Sequence, residues 1–125
     1  MSAAGTILIG VRDAMLADSL RFSLELEGYS AKLCDERSLV PLAAAHKPGC
    51  LVLDQDVFAG MTGSSISGLR VPIVLMVGQK TERLMTRARA AGIHVVETPL
   101  LGGVLSQEIR KALDGYGRAD GNSSS

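Results

Sequence analysis

The 125-residue chain has no tryptophan, only two phenylalanines and two tyrosines, and an aromatic content of 3%. Stacking platforms for nucleobases and ring-lined clefts for sugars need more aromatic surface than that. Neither sign of charge is in excess, because 13 Lys and Arg balance 13 Asp and Glu. A domain built around nucleic acid carries a basic surplus, so nucleic acid is not expected as a partner. Every apolar run is far shorter than a bilayer span, and no membrane crossing is expected. Met1-Ser-Ala-Ala-Gly5 lacks the charged and apolar regions of a secretion signal, so the expected compartment is the cytoplasm. Cysteine is confined to Cys34 and Cys50, each inside an apolar run and so read as a small core hydrophobe. His46 and His94 are distant from each other and have no cysteine or carboxylate at ligand spacing, which argues against a zinc site.

What remains is an ordinary globular composition, 46% hydrophobic and 21% charged, long enough for one domain with one sizeable core. Short β-rich runs alternate with segments of helical period. Thr6-Ile-Leu-Ile-Gly-Val11 is continuously apolar, as a strand buried on both faces should be. Asp13 stands where it can cap the next segment, in which Leu16, Leu20 and Leu24 recur every four residues and Gly28 stops the helix. Ala31 to Cys34 reads as a second strand. Ser38 to His46 reads as a helix with Pro41 in its first turn, closed by Lys47-Pro48. Cys50-Leu-Val-Leu53 is a third strand ending at Asp54, followed by a Gly, Thr and Ser loop from Gly60 to Gly68 with room for a short helix. Pro72 to Val77 is a fourth strand, and Lys80 to Ala91 a helix with Leu84, Ala88 and Ala91 as its stripe. Ile93 to Val96 is a fifth strand. Leu101, Leu105, Ile109 and Leu113 mark a last helix.

Continuous apolar strands joined by helical crossovers mean a parallel sheet covered on both faces. The expected fold is therefore α/β, a doubly wound five-stranded parallel sheet of order 2-1-3-4-5 with helices on both faces. Residues 6–114 form the domain, 1–5 a flexible N-terminus, and 115–125 a disordered tail or linker. Ligands of such sheets sit at the carboxyl ends of the strands, near the switch in strand order. Here those ends are Val11-Arg12-Asp13, Asp54-Gln55-Asp56, Val77-Gly78 and Glu97-Thr98-Pro99, which should converge on one cleft.

Several of these strings resemble response-regulator receiver domains of the CheY-like kind. Lys47-Pro-Gly-Cys-Leu-Val-Leu-Asp54 followed by Gly60-Met-Thr-Gly63 is similar to their third strand and phosphoacceptor loop. Ile7-Leu-Ile9, Leu26-Glu-Gly-Tyr29, Val71-Pro-Ile-Val74 and Ala91-Gly92…Thr98-Pro-Leu100 follow in the family's order, so the resemblance spans roughly residues 6 to 113. It implies the doubly wound fold, phosphorylation of one aspartate by a histidine kinase, magnesium in the cleft, and an output surface on the fourth helix, fifth strand and fifth helix. A homodimer through that surface would also follow.

Carried across residue by residue, the resemblance places the acceptor on Asp54. The magnesium-holding acidic pair falls on Val11 and Arg12, the phosphoryl-contacting hydroxyl on Val77, and the invariant lysine on Thr98, before a proline, Pro99, expected in cis. The aromatic switch position falls on Val95. Only the acceptor and the proline survive. Phosphorylating a carboxylate requires neutralising the charge on the transferring oxygens, ordinarily with a divalent cation and a lysine. Magnesium wants hard oxygen ligands, which valine does not supply and arginine repels. Each missing electrostatic contact costs about 3–4 kcal/mol at a reacting centre. No magnesium or other cofactor is expected, although Asp13 or Asp56 could substitute in part.

Arg12 has two readings: a fixed cation paired with Asp54 in place of the metal, or an anion-binding group. Gly60 to Gly68 lacks the lysine and spacing of a nucleotide loop and reads as a flexible connection. Lys80, Arg83 and Arg87 share one face of the fourth helix. That face reads as solvated, or, with Arg83 and Arg87 at its centre, as protein-binding. Three functions are thus in play. The first is a non-enzymatic interaction module of two-component signalling that has the receiver form without ordinary magnesium-dependent phosphorylation. Its partner would be a protein, either a histidine kinase or an output domain. The second is a functional receiver phosphorylated on Asp54 by a histidine kinase through a rebuilt site. The third is a flavodoxin-like domain for a small ligand, with the scarcity of aromatics counting against flavin.

Overall fold

The computed structural model describes residues 6–46, 48–61, 66, 69–79, 81–97 and 107–114. The element order is β1 (Thr6–Gly10), α1 (Ala14–Leu26), β2 (Ser30–Leu33), α2 (Glu36–His46), β3 (Cys50–Asp54), α3 (Gln55–Ala59), β4 (Ile73–Val77), α4 (Glu82–Ala90) and β5 (His94–Glu97). A last helix, α5, covers residues 107–114. The strands form one five-stranded sheet of order β2-β1-β3-β4-β5, and every neighbouring pair is parallel. Fold class and strand order are those expected from the sequence.

Alternation along the buried strands divides the core into two clusters. On one face Leu51, Leu53, Leu75 and Val77 meet Leu39 and Ala43 of α2, Phe58 of α3, and Leu84 and Ala88 of α4. On the other, Ile7, Ile9, Val52, Val74 and Met76 meet Ala17, Leu20 and Leu24 of α1 and Ile109 and Ala112 of α5. Burial on both faces explains why these strands read as unbroken apolar runs rather than alternating ones. Among the described residues, no helix is long and apolar enough to cross a membrane.

Local chemistry sets the helix ends. Asp13 caps α1, its carboxylate accepting from the Met15 and Leu16 N–H groups, and Gly28 follows the helix at φ +96°, a conformation that suits glycine. The inward stripe of α1 is Ala17, Leu20 and Leu24, while Leu16 faces outward. The 3.6-residue period has turned it off the core. Pro41 is likewise not in a first turn. Asp35 accepts from the Ser38 N–H at 2.9 Å and starts α2 at Glu36, so Pro41 lies inside the helix, where its missing N–H leaves a carbonyl without its usual donor. Ala91 caps α4 and is exposed rather than part of the buried stripe. The segments 1–5 and 115–125, and the first part of the last helix with Leu101 and Leu105, lie outside the described residues.

Arg70 follows the helical residue Leu69 and takes φ +53°, a left-handed conformation that costs a side-chain-bearing residue about 1 kcal/mol or more. Arg70→Gly should raise stability by about 0.5–1 kcal/mol, part of the relief being returned as unfolded-chain entropy. A lower urea midpoint in the variant would show that the arginine side chain makes a contact worth more than the strain.

Candidate functional site

Parallel registers bring the strand ends level. Gly10 lies beside Leu53, Asp54 beside Met76, and Val77 beside Glu97, so the described strand ends share one edge of the sheet. Thr98 and Pro99, with their expected cis bond, lie outside the described residues.

Asp54 is the last residue of β3, and α3 starts at the next residue, earlier than the Gly60 to Gly68 loop expected from sequence. The two facts are linked. One carboxylate oxygen of Asp54 accepts from the Val57 N–H at 2.7 Å, so the side chain is the N-cap of α3. Its other oxygen accepts from the Arg12 N–H at 2.8 Å. Arg12 and Asp54 are therefore joined through the main-chain amide. Two N–H donors on an ionised carboxylate are charge-assisted bonds, among the stronger ones available to a backbone. Asp56 is exposed in the first turn of α3, where its charge suits the helix dipole. Asp13 is occupied by the N-cap of α1.

Gln55 was not singled out by its sequence. Its carboxamide oxygen accepts from the Gly78 N–H at 3.1 Å and its nitrogen donates to the Gln79 carbonyl at 3.3 Å. This amide fastens the loop after β4 to the start of α3, across the mouth of the cleft. Val77 is buried, Val11 packs on the α1–α5 core cluster, and Val95 packs on the α2–α4 cluster. None of these three side chains can bond an anion.

Of the two arginines expected on the outer face of α4, only Arg83 is exposed. Arg87 turns inward, its guanidinium 4.6 Å from the centre of the Phe58 ring and donating to the Met61 carbonyl at 2.9 Å. It clamps α4 to the end of α3. Lys80 and most of the Gly60 to Gly68 stretch lie outside the described residues. Behind the sheet, His94 of β5 is paired with Glu108 of α5 at 2.5 Å. That bond, followed by Lys111, holds the Glu108 carboxyl below the usual carboxylate range. Cys50 is fully buried, and burial pushes its thiol up to about 12. The half-buried Cys34 thiol is also raised by burial. The contacts of Gln55, Arg87 and His94 join residues far apart in the chain, so no local spacing announces them.

The positions that the resemblance assigns to magnesium carry few oxygen donors. Val11 and Arg12 offer no oxygen side chain, and the carboxylates of Asp13 and Asp54 already accept two main-chain N–H bonds each. Among the described residues, no three His, Cys, Asp or Glu side chains group closely enough to hold a metal ion.

No protein-family model and no curated protein matches the chain. Solved structures do. The receiver domain protein (CheY-like) from Methanospirillum hungatei JF-1 is similar at a TM-score of 0.78 and 16% identity, over 91% of this chain and 97% of that one. The signal receiver domain of a modulated diguanylate cyclase from Desulfovibrio desulfuricans G20 is similar at 0.74 and 21%, over 90% and 95%. A LuxR-family DNA-binding response regulator from Staphylococcus aureus is similar at 0.75 and 17%, over 87% and 98%. At these identities the likeness establishes the fold, that of CheY-like response-regulator receiver domains.

Proposed function

We propose that this chain, having the receiver fold, acts as a non-enzymatic interaction module in two-component signalling, without the usual phosphorylation switch. The observation that carries the reading is the use of Asp54. In place of an acceptor poised beside a cation, the carboxylate caps α3 with one oxygen and ties down the β1–α1 loop with the other. Turning the carboxylate into an acyl phosphate would weaken the amide bonds it accepts, because an acylated, uncharged carboxyl is a poorer acceptor than a carboxylate. The cleft side chains that would offset the added charge are valines at 11 and 77. Gln55 supports the same reading, since it already fixes the loop after β4 that a phosphoryl group would have to move.

A switch needs a ligand that binds two states differently. With Val77 buried at the hydroxyl position and Val95 at the aromatic one, neither of these two side chains offers a polar group to sense the difference. Recognition then rests on a constant surface, read by a protein partner such as a histidine kinase or an output domain. The fourth helix with the exposed Arg83, the fifth strand and the fifth helix form the face on which such a partner would sit. The expected compartment is the cytoplasm.

The test is incubation of the 125-residue chain with a small phosphodonor and millimolar magnesium, read by intact-mass spectrometry and by the amide resonances of Asp54 and Asp56. The expected result is no phosphoryl adduct and no magnesium-dependent shift. An adduct mapped to Asp54 would overturn the reading and establish a working receiver with a rebuilt site.

A further inference from the structure

At the amino-terminal ends of β4 and β5, the sheet edge opposite Asp54, lies a cavity of about 250 Å³. Its apolar side is formed by Ile66, Val71, Ile73 and Ile93, all members of the α2–α4 core cluster. Its other wall is Ala90-Ala91-Gly92, where α4 ends and the chain turns toward β5. No side chain larger than a methyl group stands on that wall, so this margin of the core is left unfilled, and the aliphatic side forfeits contacts that an occupant would supply. Arg70 completes the lining. Among the described residues it alone of the non-glycines has a positive φ, +53°. It is exposed, and its guanidinium enters no ion pair or hydrogen bond among the described residues. The left-handed backbone is thus held by an arginine whose side chain returns nothing to the fold. Strain without a structural return points to a ligand contact.

We propose that this cavity binds a small aliphatic carboxylate from solution, its charged end on Arg70 and its chain among Ile66, Ile73 and Ile93. An aliphatic recess with one unpaired cation beside it suits a ligand with an apolar body and a single negative end, and arginine is the side chain best shaped to take a carboxylate with two parallel hydrogen bonds. Size limits the body. An apolar cavity of about 150 Å³ holds benzene, so this one holds about ten non-hydrogen atoms, a short-chain acid rather than a lipid. The end of α4 fixes the orientation. Its last carbonyls, at Ala90 and Ala91, carry the negative end of the helix dipole, so an anion is repelled from that wall and admitted on the Arg70 side. With a single arginine to balance that repulsion, a monoanion is favoured over a phosphate dianion. So small a recess, with its cation exposed, binds weakly, with a dissociation constant of about 1 mM. The site shares no residue with the strand-end cleft, so it stands or falls independently of the reading of Asp54.

Titration of the full 125-residue chain with sodium hexanoate to about 20 mM, well past the expected midpoint, tests the proposal through the amide resonances. Saturable shifts are expected at Val71, Ile73, Gly92 and Ile93, with Asp54 and Asp56 unmoved. Hexan-1-ol, the same chain without the charge, should bind about fivefold more weakly, and hexylamine should not bind. Arg70→Gln should weaken hexanoate about fivefold and leave hexanol unchanged. Ala90→Leu, which fills the recess from its small-residue wall, should weaken both. The alcohol and amine arms use the unaltered chain, so they decide the matter even where a variant folds poorly. A titration without saturation, equal affinity for hexanol and hexanoate, hexanoate binding indifferent to Arg70→Gln, or shifts centred on α1 would each overturn the proposal.

Discussion

Replacing Phe58 by alanine should cost about 3–5 kcal/mol of folding stability, the largest loss expected of any single substitution considered for this chain. Phe58 is fully buried on the α2–α4 side of the sheet, where it anchors a helix of only five residues, Gln55–Ala59. So short a helix has no stability of its own and depends on packing. The ring is also the platform for Arg87, a contact worth about 0.5–2 kcal/mol depending on how dry it is. Phe58→Leu keeps most of the apolar volume and removes only the π face, and should lose about 1–2 kcal/mol. Urea denaturation with a shared m-value separates the two. A loss near zero in the leucine variant would mean that Arg87 gains nothing from the ring. A loss under about 1 kcal/mol for alanine, well short of the usual cost of a large cavity, would mean that α3 is not docked through Phe58. Set against the roughly 5–15 kcal/mol total stability of a domain, that loss is a large share.

Asp54→Ala should cost about 2–3 kcal/mol, the sum of a lost N-cap and a lost charged hydrogen bond. The direction is informative in itself. An exposed carboxylate waiting for a phosphoryl group has no structural duty, and its removal would change stability by no more than about 0.5 kcal/mol. Here removal leaves the Val57 and Arg12 N–H groups without their acceptor. Asp54→Asn retains one acceptor oxygen, turns an amide nitrogen toward the other donor, and should cost roughly half as much. Association with a protein partner should be nearly unchanged in the asparagine variant, because the surface it reads is constant. The measurement is a pair of urea curves with a pull-down or titration against the partner. A stabilised alanine variant, or an asparagine variant that folds normally but no longer binds, would reverse the assignment of Asp54 as a structural residue.

The strands were legible because residues such as Cys50-Leu-Val-Leu53 and Ile73 to Val77 are buried on both sheet faces, which leaves an unbroken apolar run. The caps at Asp13 and Gly28 were legible because capping chemistry is local. The third helix was not. Gln55–Ala59 is too short for its period to register, and the clue available was an aspartate, a favoured N-cap residue, just before it. Once Asp54 is read as an acceptor, that second use is easy to pass over. Leu16 and Pro41 were misplaced for a related reason, since a four-residue spacing drifts off a 3.6-residue helix and the true start of α2 depended on Asp35. The Gln55 strap and the Arg87 clamp join residues brought together only by the sheet order, so neither could be read from local spacing.

That sheet order also sets how the chain fares while it is being made. As it leaves the ribosome, β1, α1 and β2 are complete before any of β3 exists. β1 can then pair along one edge, Thr6 with Ser30 through Ile9 with Leu33. Its other edge must wait for Cys50, Leu51, Val52 and Leu53. Until they emerge, β1, an interior strand of the finished sheet, is an open edge carrying Ile7, Leu8 and Ile9, a template on which a strand from another chain can add. One vulnerable interval of synthesis therefore lies between β2 and β3, and the emergence of Leu53 closes that edge.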